Sequence, residues 1–283
     1  MNTKKKIAIV GTGLMGGSLA LRLNKYGLSA QIIGVDSDPT HIQLALAKQI
    51  IDTSMNLDDA IAAADVIVIA IPVDQTLAIL PTILNKVNKQ IVLDLGSTKN
   101  TIINEIREHP NRGRFIGTHP MWGTEKNGPM SATYDSFKNR AVVLCNQKDS
   151  DPDVLAWVQS MYEIIGMRII YMNTQEHDLH VAYVSHVSHI TSFALANTVL
   201  EKEKEEAAIF ELASGGFEST VRLAKSNPLM WAPIFINNKE NVLDVFEEHI
   251  NQLKKFQRAI EDSNKNELLL LMDKANLIKN IIP

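Results

Sequence analysis

A serine and a histidine each follow a short apolar run in this chain, in Asp94-Leu95-Gly96-Ser97-Thr98-Lys99 and in Gly117-Thr118-His119-Pro120-Met121-Trp122-Gly123-Thr124-Glu125. An imidazole of ordinary basicity accepts a proton near neutral pH, which suits oxidation of a hydroxyl as hydride leaves its carbon. Such chemistry needs a hydride acceptor, and residues 7–16 offer a place for one. Ile7-Ala8-Ile9-Val10-Gly11-Thr12-Gly13-Leu14-Met15-Gly16 is G-x-G-x-x-G between an expected strand and an expected helix. Gly11 allows the tight turn, Gly13 the approach of backbone to a pyrophosphate, and Gly16 close helix–strand packing. Thr12, Leu14 and Met15 complete the candidate loop, and the helix start adds free N–H groups and a favourable dipole. Asp36 ends the next apolar run, twenty residues past Gly16, where a carboxylate can accept from ribose hydroxyls and would repel a 2′-phosphate. Ser37-Asp38 supplies no arginine for such a phosphate, so the expected cofactor is NAD. The competing reading is a structural glycine turn beside an unrelated capping aspartate.

The elements that must position these groups follow from periodicity. Residues 6–10, 31–35, 66–70, 91–95, 115–118, 141–144 and 167–171 read as strands, with helical patterns between most of them, including 14–26 and 39–49. Asp38 and Pro39 suit the N-cap and first position of the second helix. Near-continuous apolar strands alternating with helices predict an α/β fold: a Rossmann-type, mostly parallel sheet covered on both faces. Ser97 and His119 then emerge at carboxyl ends of strands, where such sheets bind ligands. Ser97 could instead cap a helix over 99–106, and His119 could be a buried structural histidine. From about residue 173 the pattern is helical only: 174–200 as one long helix, then 243–260 and 267–278, with the charged run 201–206 as a solvated end or connection. The expected division is 1–172 for a dinucleotide-binding domain and 173–283 for a helical substrate and dimerisation domain.

Composition sets the outer limits. With 283 residues, 45% hydrophobic and 21% charged, the chain has the balance of an ordinary globular protein. A net charge of −4 leaves no basic footprint for nucleic acid. Lys4-Lys5-Lys6 before an apolar stretch resembles a secretory leader, but Gly11, Gly13, Gly16 and Gly17 break that stretch. The longest apolar run, 66–71, is far too short to span a membrane. The single cysteine, Cys145, lies in an apolar run, reads as a buried strand residue, and suits a reducing, cytoplasmic compartment.

The segments around Ser97 and His119 resemble the prephenate/arogenate dehydrogenase family of tyrosine biosynthesis. The resemblance rests on Leu-Gly-Ser-x-Lys at 95–99 and Gly-Thr-His-Pro-Met-x-Gly-Thr-Glu at 117–125. It continues through His177-Asp178, Ser185-His186-Val187-Ser188-His189, Gly215-Gly216-Phe217-Glu218-Ser219-Thr220-Val221-Arg222-Leu223-Ala224 and Ser226-Asn227-Pro228-Leu229-Met230-Trp231, to Asn238. It implies that His119 takes the proton of a ring 4-hydroxyl while Ser97 orients that hydroxyl and the nicotinamide. Arg222 would bind a substrate carboxylate, a task suited to its planar fork. His189 would sit near the substrate side chain, with Thr124 and Glu125 at the pocket mouth and Glu125 pairing with Arg222. The implied reaction is NAD-dependent oxidative decarboxylation of prephenate, or of arogenate, in a homodimer formed through the helical domain. The leucine-rich run 268–272 would be a dimer element or, on the rival reading, buried within one chain.

Three departures stand out. Ser188 replaces a frequent proline, which predicts a less kinked helix; Ser219 replaces a usual aspartate; Trp122 replaces a commonly small residue. His177, His180, His186 and His189 invite a metal reading, but no cysteine accompanies them and acidic partners are few, so no metal is expected. Arg222 follows a glycine pair and is expected to begin an apolar helix, with a solvated helix arginine as the alternative. A β-hydroxyacid-type dehydrogenase would carry a catalytic lysine on a glycine-rich helix, a pattern missing around Gly215-Gly216. An NAD-binding sensor without turnover would need no proton acceptor.

Overall fold

Runs rich in valine and isoleucine form the sheet, and the computed structural model describes them within residues 4–204 and 209–281. The order is β1 (Lys5–Val10), α1 (Leu14–Lys25), β2 (Ser29–Val35), α2 (Pro39–Ala47), β3 (Thr53–Ser54), α3 (Leu57–Ala63), β4 (Val66–Ile69), α4 (Val73–Lys86) and β5 (Ile91–Asp94). There follow α5 (Asn100–Glu105), β6 (Phe115–Pro120), β7 (Ala141–Cys145), α6 (Pro152–Ile164) and β8 (Arg168–Met172). After Met172 the described elements are helical: α7 (Thr174–Val181), α8 (Val187–Glu203), α9 (Gly215–Val221), α10 (Pro228–Asn237), α11 (Lys239–Glu261) and α12 (Lys265–Asn276).

The sheet runs β3-β2-β1-β4-β5-β6-β7-β8. Strands from β3 to β6 are parallel; β7 pairs antiparallel with β6, and β8 parallel with β7. Alternate residues feed two cores: Ile7, Ile9, Val66 and Val68 on one face, Ala8, Val10, Ile67 and Ile69 on the other. Burial on both faces explains why these strands read as continuous apolar runs rather than alternating ones. Trp231 and Ile234 of α10 join the second core, packing the helical part onto the sheet. Cys145 is buried there, and burial pushes its thiol up to about 12.

Three expectations are corrected and one alternative is removed. The pattern over 174–200 is broken by a π-helical turn, Ala182–His186, between α7 and α8, so Ser188 lies beside an irregular helix rather than in a straighter one. Arg222 does not begin an apolar helix: it closes α9 and opens a 3₁₀ turn, Arg222–Lys225. Ser97 is not an N-cap, because α5 starts at Asn100 and its first amides are met from elsewhere. The strand carrying His119 extends through Pro120. Of the charged run 201–206, residues 205 and 206 lie outside the described residues.

Candidate active site

The candidate cofactor cradle is the β1–α1 turn. Gly11 has φ +97°, and a Cβ there would lie 2.5 Å from the Ala70 carbonyl oxygen; a Cβ on Gly16 would lie 2.0 Å from the Gly11 oxygen. Gly13 is the reverse case, with nothing within 4 Å of an added Cβ, which leaves open space over the loop. The N-terminus of α1 has no side-chain cap and no acidic residue in its first turn, so its amides stay available to an anion. Leu14 and Met15 supply that first turn. Asp36 stands at the end of β2, its Oδ2 accepting from the Thr12 N–H at 2.8 Å and the Thr12 hydroxyl at 3.0 Å. These bonds hold the carboxylate against the loop, where it can also accept from ribose hydroxyls. The residues fit an NAD-type dinucleotide.

His119 lies at the carboxyl end of β6, with its Nδ1 2.9 Å from His177 Nε2 of α7. His177 Nδ1 is 2.7 Å from Asp178 Oδ1. Asp178 in turn accepts the Lys99 N–H at 2.9 Å and the Asn100 N–H at 2.8 Å, so it is the cap of α5. Burial, with the neighbouring His177, Lys99 and His186, holds the His119 imidazole well below its ordinary basicity. Ser97 is half-buried in the loop between β5 and α5, and no hydrogen bond joins it to His119 among the described residues. The loop is anchored beneath it: the Asp94 carboxylate accepts the Gly96 N–H at 2.9 Å and pairs with the wholly buried Lys99 ammonium.

Arg222 and Glu125 meet as expected, Nη1 to Oε2 at 3.2 Å, with the arginine side chain more than half exposed. Glu125's own backbone N–H, and then the guanidinium, hold its carboxyl below the usual carboxylate range. Thr124 is exposed and accepts the Lys126 N–H at 3.2 Å. Both line a cleft of about 400 Å³ with Trp122, Lys126, Met130, Ser131 and Thr133. Trp122 leans on Phe137 with ring centroids 5.8 Å apart. His189 is buried, bonded through Nδ1 to the Ser185 carbonyl at 3.0 Å and stacked on Trp231 at 3.4 Å between centroids. Burial lowers its basicity, and the Arg222 charge adds to that, so these two groups share a neighbourhood. His186 is buried against Asn238, its Nδ1 3.2 Å from the amide nitrogen, and burial brings it down to about 4. Among the described residues no cluster of three or more histidine, cysteine or acidic side chains is placed to hold a metal.

Sequence reasoning noted His177 and Asp178 but gave them no task, and it missed Asn238's bond to the Asp178 carbonyl at 2.7 Å. The signal was the pair's adjacency, a ring nitrogen donor next to a carboxylate. Their partners lie 58 and 79 residues away, beyond any periodic pattern.

Together, fold and site define a dinucleotide-dependent dehydrogenase. The chain belongs to the prephenate dehydrogenase family: the family's nucleotide-binding domain matches residues 19–171, and its dimerization domain matches 173–274. It is 28% identical to the prephenate dehydrogenase of Bacillus subtilis (strain 168) over 284 aligned residues, covering 99% of this chain and 76% of that one. The crystal structure of Aquifex aeolicus prephenate dehydrogenase with hydroxyphenyl propionate and NAD+ superposes with a TM-score of 0.89 at 30% identity, covering 99% of both chains. Synechocystis arogenate dehydrogenase superposes at 0.77 and 27% identity, covering 98% of this chain and all of its own.

Proposed function

We infer that this chain is an NAD-dependent prephenate dehydrogenase, oxidatively decarboxylating prephenate to 4-hydroxyphenylpyruvate in tyrosine biosynthesis. The observation that carries the reading is a poorly basic, strand-end histidine and an arginine paired with Glu125 of the cleft, on a chain matched throughout by prephenate dehydrogenases. When bound, NAD supplies the hydride acceptor. We assign the phosphate cradle to Gly11, Thr12, Gly13, Leu14, Met15 and Gly16, and the ribose to Asp36. His119 Nε2 takes the proton of the ring 4-hydroxyl as hydride leaves carbon 4, giving a ring ketone. Loss of the ring carboxylate as carbon dioxide sends its bonding pair into the ring, which becomes aromatic with negative charge on the oxygen. His119 then returns its proton there. Ser97 orients the hydroxyl and the nicotinamide, Arg222 binds a substrate carboxylate, and His189 faces the substrate side chain. Thr124 and Glu125 form the mouth.

The test is NADH production with prephenate, with arogenate and with a small hydroxyacid in parallel. Strong turnover only with the hydroxyacid overturns the reading. Arogenate is the second reading, supported by the likeness to the Synechocystis enzyme; it carries an ammonium where prephenate carries a keto group.

Arg222→Ala is expected to raise KM for prephenate by about 10- to 100-fold, as loss of a charged hydrogen bond predicts, with a smaller change in kcat. An unchanged KM removes Arg222 from the pocket. With NADP, kcat/KM is expected to fall at least about tenfold below the NAD value, because a 2′-phosphate beside the Asp36 carboxylate costs several kcal/mol. Asp36→Ser should narrow that gap, and equal use of both cofactors by the unaltered protein contradicts the assignment.

We place the domain division after Met172 and the enzyme in the cytoplasm, as a homodimer joined through the helical domain. Leu269, Leu270 and Met272 of α12 are exposed in a single chain, which favours pairing over internal burial. Among the described residues no helix is long and apolar enough to cross a membrane.

A further inference from the structure

The geometry points to His177 and Asp178 as the positioning residues of the proton acceptor: they fix the tautomer of His119, so that its free lone pair is on Nε2. This rests on the assignment of His119 as the base.

The argument is one of donors and acceptors. Asp178 receives two backbone N–H groups, from Lys99 and Asn100, and its Oδ1 also meets His177 Nδ1. A carboxylate only accepts, so His177 Nδ1 carries a hydrogen. The Nε2 of a neutral His177 is then bare and must accept, which puts the hydrogen of the 2.9 Å His119–His177 contact on His119 Nδ1. In neutral His119 that leaves Nε2 as the bare nitrogen, and none of the described residues bonds to it. Reversed, with the hydrogen on Nε2, the ring could donate to a substrate hydroxyl but not take its proton.

The same line serves the step itself. Once Nε2 has taken a proton, the Nδ1–H donated to His177 belongs to an imidazolium, and the bond becomes charge-assisted. His177 passes the polarisation on to the Asp178 carboxylate. The other ionisable groups near His119 are the Lys99 ammonium at the start of α5, its partner Asp94 at the end of β5, and His186 in the π turn. His177, Lys99 and His186 all disfavour a charged His119, and Asp178 is the anion reached from it through a hydrogen-bonded path. The residues also come from both parts of the chain. His119 is on β6, whereas His177 and Asp178 are on α7, and Asp178 docks by capping α5. Seating α7 on α5 and setting the tautomer of the base are therefore one contact.

The experiment is nitrogen-15 NMR of histidine-labelled, full-length protein, with kinetics on two variants. In the unaltered protein, long-range correlations should show His119 as the Nδ1–H tautomer. In His177→Ala the signal should move to the Nε2–H form or a mixture. The same variant should lose about 10- to 100-fold in kcat, with KM for prephenate and Kd for NAD within about twofold. His177→Gln, whose Oε1 can accept from His119 Nδ1, should recover several-fold of that loss. An Nε2–H tautomer in the unaltered protein overturns the proposal without any variant. So does a folded His177→Ala with unchanged kcat, or one whose whole defect is in KM. If the unaltered protein does not oxidise prephenate, the functional reading fails, while the tautomer measurement still decides this one.

Discussion

His119→Asn is expected to lower kcat for prephenate oxidation by about 100-fold or more, the scale of losing a general base, while Kd for NAD stays within about twofold. Asparagine keeps polarity and approximate volume, and its amide can still donate to His177 Nε2, so the neighbouring contacts survive. What it lacks is a basic nitrogen. A hundredfold corresponds to about 3 kcal/mol of transition-state stabilisation, too large for a small shift in packing at a partly buried strand end to mimic. The pH profile separates the cases further. A base works unprotonated, so kcat/KM falls as pH drops through its pKa. Burial, with the neighbouring His177, Lys99 and His186, depresses that value, so the acid limb of the unaltered enzyme should lie below the ordinary imidazole range. In the variant the limb should vanish. Unchanged turnover, or a limb that persists in His119→Asn, removes His119 from the role.

Local pattern made the geometry of the β1–α1 turn legible. Glycines at 11, 13 and 16 sit where a Cβ would collide or where space is needed, and Asp36 sits at a strand end; each requirement is met within a few residues of the motif. The Glu125–Arg222 pair, 97 residues apart, was reached only through a family resemblance. The rest depended on tertiary contacts. The alternative of Ser97 as a cap was open because a serine before a helical run often is one, but a carboxylate from another element meets those amides. The break in the 174–200 helix lacks a proline or glycine to announce it, and Arg222's place at a helix end follows from packing around Ser192 and Thr220. Periodicity showed where the apolar residues fall, yet it was blind to buried polar groups that find partners across the fold.

Lys99→Met tests the most buried of those groups and should carry the largest stability cost of any single change to the site's scaffold. Lys99 and Asp94 are both wholly buried, paired at the end of β5 directly under the Ser97 loop. Removing one partner of a buried pair strands the other charge, a cost of about 3–5 kcal/mol against a total stability of about 5–15. Chemical denaturation at fixed protein concentration would read it. The loss should shrink as pH falls. Burial already pushes the Asp94 carboxyl up, and without the ammonium that push is unopposed. Its folded-state pKa then exceeds the unfolded one, so the folded variant binds more protons and is relatively favoured below that value. Asp94→Asn with Lys99→Met removes both charges and keeps an oxygen for the Gly96 or Thr118 N–H, so the double variant should be more stable than Lys99→Met alone. Its activity is the informative quantity. Recovered stability with low kcat would mean that the ion pair serves chiefly to hold Ser97 and the start of α5 in register with His119. Recovered stability with full kcat would make the pair replaceable packing, and the loop's geometry would then rest on the Asp178 cap.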